Sequence, residues 1–192
     1  MNVIQCDSQE WLFLSHSQQE AVIGLLDRVW PPLPSEVASV TPLHNPDLSP
    51  VSFCLLDGDE LVAYGAVLSQ RVTVAGQVYL AQGLSCVACE PQLQGKGFGR
   101  RIVAEATAWM NHSGADIGIF TSDPELVPFY SQYGWVEAPG VLLCGSLDST
   151  AINSTDAGKR VLLQLWSTRA KANESDFGQV KIDLGLPIGE FW

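Results

Sequence analysis

Apolar residues recur along the chain in alternating and helical runs. "WLFLSHS" (Trp11–Ser17) opens on an apolar cluster and predicts a first strand. Behind it, Val22, Ile23, Leu25, Leu26 and Val29 fall at helical spacing. Ser17 and Glu20 fit a reciprocal capping box at that helix's start, and Pro31 and Pro32 end it. Six prolines between Pro31 and Pro50 predict an irregular wall or linker, with one short helical turn over Ser35–Val40. "VSFCLLDGDELVAYGAVLSQ" then predicts a hairpin turning at Asp57–Gly58. "RVTVAGQVYLAQGLSCVACE" predicts a second, turning at Ala75–Gly76.

The stretch "QLQGKGFGR" (Gln92–Arg100) breaks the pattern, being a poor helix and a poor strand. After it, Ile102, Val103, Ala106, Trp109 and Met110 share one helical face, and Gly114 is a good stop. "ADIGIFTS" predicts a short buried strand. "DPELVPFYSQYG" is helical by Leu126, Phe129, Tyr130 and Tyr133, with Asp123 as N-cap and Pro124 at the first position. Pro128 inside it calls for a kink or a later start. "WVEAPGVLLCGSL" and "KRVLLQLW" predict two more strands. Strand, glycine loop, helix and strand in succession imply a right-handed crossover joining two parallel strands. With antiparallel hairpins before it, the sheet is mixed and the class is α/β (α+β).

Composition narrows the partners. A chain of 192 residues that is 46% hydrophobic can bury one sizeable core, so residues 1–192 are expected to form one domain. No apolar run approaches the ~18 residues of a membrane span, and no signal-peptide pattern opens the chain, so a cytoplasmic protein is expected. Five cysteines (Cys6, Cys54, Cys86, Cys89, Cys144) then read as free thiols. A formal net charge of −11 speaks against nucleic acid and anionic membrane as partners and favours a cationic one. Yet three of the ten Lys and Arg residues, Lys96, Arg100 and Arg101, lie in one six-residue stretch at the glycine loop. That concentration points to an anion bound there.

Glycines let backbone N–H groups converge on an anion, and a following helix N-terminus adds its dipole. A nucleotide P-loop would need a glycine where Glu90 stands and a Ser or Thr where Gly97 stands. A dinucleotide fingerprint would need a third glycine where Arg100 stands. Gln94-x-x-Gly97-x-Gly99 instead resembles the Q/R-x-x-G-x-G/A motif of the GCN5-related N-acetyltransferase (GNAT) superfamily. "DPELVPFYSQYGW" resembles that family's second motif through the pairs Phe129–Tyr130 and Gly134–Trp135. The resemblance runs over residues 11–166.

It implies a central, mostly antiparallel sheet of about seven strands with one splayed parallel pair, and about four helices. It implies acetyl-CoA as donor and direct attack by a primary amine, without a covalent enzyme intermediate. The amides of Gln94, Gly95, Lys96, Gly97, Phe98 and Gly99, with Arg100, would hold the pyrophosphate. Backbone N–H groups of Val87 and Cys89 would bind the pantetheine arm and polarise the thioester carbonyl. Tyr130 would protonate the leaving thiolate, a role suited to a phenol pKa of ~10, and Asp123 would lie near the coenzyme. No metal is expected: Cys86 and Cys89 fall on opposite sides of a strand, and His16, His44 and His112 read as surface or capping residues.

Within the superfamily the chain resembles aminoglycoside 2′-N-acetyltransferases. The stretches are "AVLSQRVTVAGQ" with "LSCVAC", "GIFTSDPELVPFYSQYGW", and the ending "IGEFW". By that likeness Glu190 and Trp192 would contact a cationic acceptor. Ser85 stands where those enzymes carry a carboxylate, so the base would act through water or be Glu190. A protein or metabolite amine as acceptor, and a non-catalytic coenzyme-binding module, are the alternatives. A homodimer is left open.

Overall fold

The computed structural model describes residues 5–32, 43–146, 151–187 and 190–192. Its strands are β1 (Gln5–Glu10), β2 (Val51–Asp57), β3 (Glu60–Val74), β4 (Gln77–Cys89), β5 (Ile117–Ser122), β6 (Val136–Glu137), β7 (Val141–Cys144), β8 (Arg160–Leu165) and β9 (Val180–Asp183). Its helices are α1 (His16–Val29), α2 (Phe98–His112), α3 (Val127–Ser131) and α4 (Thr168–Ala172). Seven strands form one sheet in the order β1-β2-β3-β4-β5-β8-β6, and β7 with β9 form a parallel pair apart from it. Only β4 and β5 are parallel within the large sheet, joined through α2 as the crossover rule requires. This is the mixed, mostly antiparallel sheet that the sequence implied.

The hairpin from β3 to β4 turns on Ala75 (φ +48) and Gly76 (φ +79). Two left-handed residues give the turn whose twist matches the strands, so this boundary was legible. The other hairpin turns at Gly58–Asp59, one residue later than predicted. The two expected hairpins share one uninterrupted strand, β3, and so form a three-stranded meander.

The start of the chain corrects the reading of Trp11–Ser17 as a strand. Trp11–Phe13 is a 3₁₀ turn, and the strand lies upstream, in β1. Trp11 and Leu14 are buried while Leu12 and Phe13 are 61% and 69% exposed. That spacing of three is a turn's periodicity. The capping box belongs to Ser15 and Gln18: Ser15 Oγ accepts from the Gln18 amide at 3.3 Å, and Gln18 Oε1 accepts from the Ser15 amide at 2.9 Å. Ser17 and Glu20 lie inside α1, and Glu20 meets His16 at 3.2 Å. "WVEAPGVLLCGSL" splits at Ala138–Gly140 into β6 and β7. Ser35–Val40 lies outside the described residues.

Two compact units divide the chain: Met1–Leu68 with Leu84–Ala106, and Ser69–Gly83 with Thr107–Trp192. The first packs Trp11, Val22, Leu25 and Leu26 against Tyr64 and Ala66. Its core holds a polar knot, in which the Tyr64 hydroxyl lies 2.8 Å from His44 Nε2 and 3.0 Å from Ser52 Oγ. His44 is 3% exposed, so it is a core histidine and not the surface residue expected. Burial lowers its pKa to about 4, which keeps the ring neutral. In the second unit, a Cβ on Gly118 would overlap the rings of Trp135 and Trp166, so the glycine lets two tryptophans close on β5. Trp135 Nε1 donates to Thr107 Oγ1 at 3.0 Å, satisfying its one polar atom in the core.

Candidate active site

Pro91–Leu93 make one 3₁₀ turn after β4, and the loop then runs into α2. Gly95 and Gly97 take φ of +80° and +90°. These are conformations that an L side chain adopts only under strain. Cβ atoms placed on Gly95, Gly97 or Gly99 would meet nothing within 4 Å. The glycines are therefore there for backbone shape and for open space above it, not for packing. The Gly97 carbonyl takes the Arg101 amide at 3.1 Å, closing the first helical turn. The earliest N–H groups of α2 have no intrahelical acceptor. Gln94, Lys96 and Arg100 are exposed around this end, while Phe98 and Gly99 are half-buried. Backbone donors, a helix N-terminus and two exposed cations are groups that suit an anion.

The base of the loop is braced on both sides. Arg28 of α1 reaches Glu90 with two nitrogens at 3.0 and 2.9 Å. The Glu90 amide donates to the Val62 carbonyl at 2.9 Å. Cys89 Sγ donates to the Glu90 carbonyl at 3.7 Å and receives the Gly99 N–H. Burial first, then the Glu90 charge, push its thiol pKa up, so it is a neutral thiol under the loop. Cys86, two residues after Leu84 on β4, takes φ of +52°, a bulge on that strand. Ser85 Oγ donates to Cys86 Sγ at 3.5 Å. Gly65 on β3 would place a Cβ 2.6 Å from Ile102 and 3.6 Å from Val87 side-chain carbons. Its absence lets α2 press onto β3 beside Val87.

The second unit carries Tyr130, Asp123 and the end of the chain. Tyr130 is 7% exposed, with its ring edge-on to Phe120 at 4.9 Å and to Phe129 at 5.0 Å. Burial first, then the Asp123 charge, push its pKa up to about 12. The phenol therefore holds its proton across the whole physiological range. Asp123 does precede a turn with Pro124 at its start, but its side chain makes no cap. Its Oδ1 takes Lys159 Nζ at 2.6 Å instead. Pro128 is accommodated by a 3₁₀ turn at Pro124–Leu126, with α3 beginning at Val127. This is the later start that Pro128 required.

Glu190 is exposed, whereas Trp192 is 5% exposed. The Trp192 indole N–H donates to the Ile119 carbonyl at 2.6 Å, and its own carbonyl accepts from Thr121. Sequence reasoning missed Ile119, Thr121, Lys159 and Arg28. The one local signal was the glycine inside β4, Gly83, where a Cβ would overlap the Trp192 indole.

The match to known proteins agrees with this architecture. Escherichia coli ElaA is similar at 17% identity and a TM-score of 0.60, over 84% of this chain and 99% of that one. An acyl-CoA N-acyltransferase from Pseudomonas aeruginosa is similar at 13% identity and a TM-score of 0.60, over 84% and 99%. A GNAT family acetyltransferase from Brucella melitensis, in complex with acetyl-CoA, is similar at 17% identity and a TM-score of 0.52, over 69% and 83%. At such identities the likeness carries the fold. No curated protein matches the sequence. A family model, the acetyltransferase (GNAT) domain, matches residues 14–138, the loop, α2 and the Tyr130 segment included. The chain belongs to the acetyltransferase (GNAT) domain family.

Proposed function

We propose that this protein moves an acetyl group from acetyl-CoA to the primary amine of a cationic small molecule, by direct attack. As a member of its family it is an acetyl-CoA-dependent acyltransferase. The observation that carries the donor is the pair Gly95 and Gly97 at positive φ, opening onto free space at the start of α2 beside Lys96 and Arg100. Such a loop suits the pyrophosphate of the coenzyme. Amides at Val87 and Cys89 are assigned the pantetheine arm and the thioester carbonyl, by motif position. Holding two reactants together and polarising that carbonyl are the main contributions asked of the protein.

Tyr130 is assigned the proton that the leaving thiolate needs. A phenol with a pKa near 12 is still protonated when the tetrahedral species collapses, so the proton is there to be given. The acceptor amine must arrive neutral. An acidic protein attracts the cation, and a desolvated site lowers the amine's pKa. Exposed Glu190 is a candidate for the acceptor's positive groups, and an aminoglycoside is the acceptor that the resemblance favours. Ser85 carries no carboxylate, so it is a weak candidate for the base. The test is thiol release from acetyl-CoA over aminoglycosides, polyamines and peptides. Release with at least one polycationic amine, and an acceptor KM raised by Glu190→Gln, is the expected outcome. Release with none of them sinks the assignment.

A further inference from the structure

An anion-binding loop that opens on a carboxylate poses a problem. The chain carries a formal net charge of −11 and concentrates cations at its glycine loop, yet the residue at the loop's root is Glu90. Its amide, carbonyl and carboxylate are all engaged. The amide donates to the Val62 carbonyl at 2.9 Å, and the carbonyl accepts from the Leu93 amide at 2.8 Å, closing the 3₁₀ turn. Pro91 holds the residue extended, with φ of −47° and ψ of 124°. The side chain takes Arg28, in the last turn of α1, with Nε at 3.0 Å and Nη2 at 2.9 Å, both on Oε2. Cβ atoms on the loop glycines would meet nothing, so the loop takes its position from such anchors at its ends.

Stability does not explain the pair. The Arg28 side chain is 52% exposed and that of Glu90 21%, and ion pairs so open to water add little. The effect of the charge is local. Burial first, then the Glu90 charge, raise the pKa of the Cys89 thiol, and that thiol receives the Gly99 N–H. The carboxylate is thus felt at the loop itself, where it would oppose a polyanion. Lys96 and Arg100 are close by in sequence, but the carboxylate is met by a cation 62 positions away. Among the described residues, neither Lys96 nor Arg100 pairs with a carboxylate.

We propose that Arg28 is a positioning residue for the donor: the counter-ion that cancels Glu90 and leaves Lys96 and Arg100 to the coenzyme's phosphates. Glu90 anchors the loop by its backbone and brings a charge of the wrong sign. Arg28 removes that charge and ties the last turn of α1 to the loop's root. The inference rests on the donor reading above, because only a polyanion makes the Glu90 charge a liability. It requires that charge at position 28, rather than the shape of the side chain, sets donor affinity. Lysine shares arginine's charge and lacks its fork, so it separates the two.

The experiment compares wild type, R28A, R28K, E90Q and R28A/E90Q by calorimetric titration with acetyl-CoA at low ionic strength. Steady-state kinetics follow with acetyl-CoA and with S-acetyl-N-acetylcysteamine, a thioester without phosphates. R28A is expected to bind acetyl-CoA about fivefold more weakly, with kcat at saturation within about twofold. R28K should stay within about twofold of wild type, and R28A/E90Q should recover to within about twofold. The R28A deficit should fade by 1 M salt and be missing with the phosphate-free thioester. Should R28A not fold, E90Q decides: it is expected to bind acetyl-CoA at least as tightly as wild type, and weaker binding overturns the counter-ion. Equal affinity of wild type and R28A also overturns it. So does a double variant as weak as R28A, or a deficit equal for both thioesters. If wild type binds no acetyl-CoA, the donor reading falls, and inorganic pyrophosphate is titrated instead. Weaker pyrophosphate binding by R28A then keeps the counter-ion, while equal or absent binding removes it too.

Discussion

Between Gln94 and Gly99 the chain presents bare backbone, three glycines and an exposed lysine. Around Tyr130 it presents rings: Phe120, Phe129 and the phenol itself, 7% exposed. Each material suits one half of acyl transfer. A polyanion is held by N–H groups that converge only when no Cβ stands in the way. A proton is held at neutral pH by taking its carrier out of water. The acidic chain tolerates Lys96 and Arg100 where the anion is expected, and it buries the Tyr130 phenol near Asp123, which Lys159 holds at 2.6 Å. Binding and chemistry should therefore respond separately to substitution.

The largest separation is expected at Tyr130. Tyr130→Phe keeps the ring among Phe120 and Phe129 and removes only the proton. It should lower kcat by about 10²–10³-fold and leave the acetyl-CoA dissociation constant within about twofold. Loss of donor binding with kcat intact would invert the comparison.

Next in size is a pH effect at a second buried side chain, in the core of the first unit. His44 titrates near 4 in the fold, below the ordinary histidine value of about 6.5. As pH falls below 6.5 the unfolded chain gains a proton that the native ring refuses. Stability is therefore full above pH 6.5 and declines as pH falls towards 4, by on the order of 3 kcal/mol. Urea unfolding at pH 7 and 4.5 should show the decline in wild type and a smaller one in His44→Gln.

Gly97→Ala sharpens the comparison from the binding side. A φ of +90° strains alanine, at a cost of about 1–2 kcal/mol. Donor affinity should fall about tenfold, while kcat at saturation stays within about twofold. A titration alongside kinetics reads both. The smallest effect belongs to the exposed cations. Lys96→Ala or Arg100→Ala should weaken the donor about threefold at low ionic strength, and the difference should fade by 1 M salt, where the screening length is about 3 Å.

The donor half was legible because its signals are local. Glycines that need positive φ and the cations beside them sit within a few residues, and the strand and helix that flank them follow simple periods. Pro128 announced its own later start. What escaped was carried by distance. Lys159 meets Asp123 from 36 positions away, and Trp192 reaches Thr121 across 71. No window of the sequence contains such pairs. At Trp11–Ser17 the failure was one of period: an apolar cluster looked like a strand, but burial at Trp11 and Leu14 alone is a turn's spacing. The capping box was sought at Ser17 when Ser15 had an equally good partner in Gln18. Gly83 and Gly118 did carry a message, since a glycine inside a strand marks a close approach, but the approaching rings could not be named from the chain alone.

The proposed division of labour has acetyl-CoA held at Gln94–Gly99 and the proton supplied by Tyr130. It is tested most directly by measuring acetyl-CoA binding and thiol release on the same preparations of wild type and Tyr130→Phe, with a polycationic amine as acceptor. Equal binding is expected, with thiol release slower by about 10²–10³-fold in the variant. Equal rates of release at every pH, or a wild type that binds no acetyl-CoA, would contradict it.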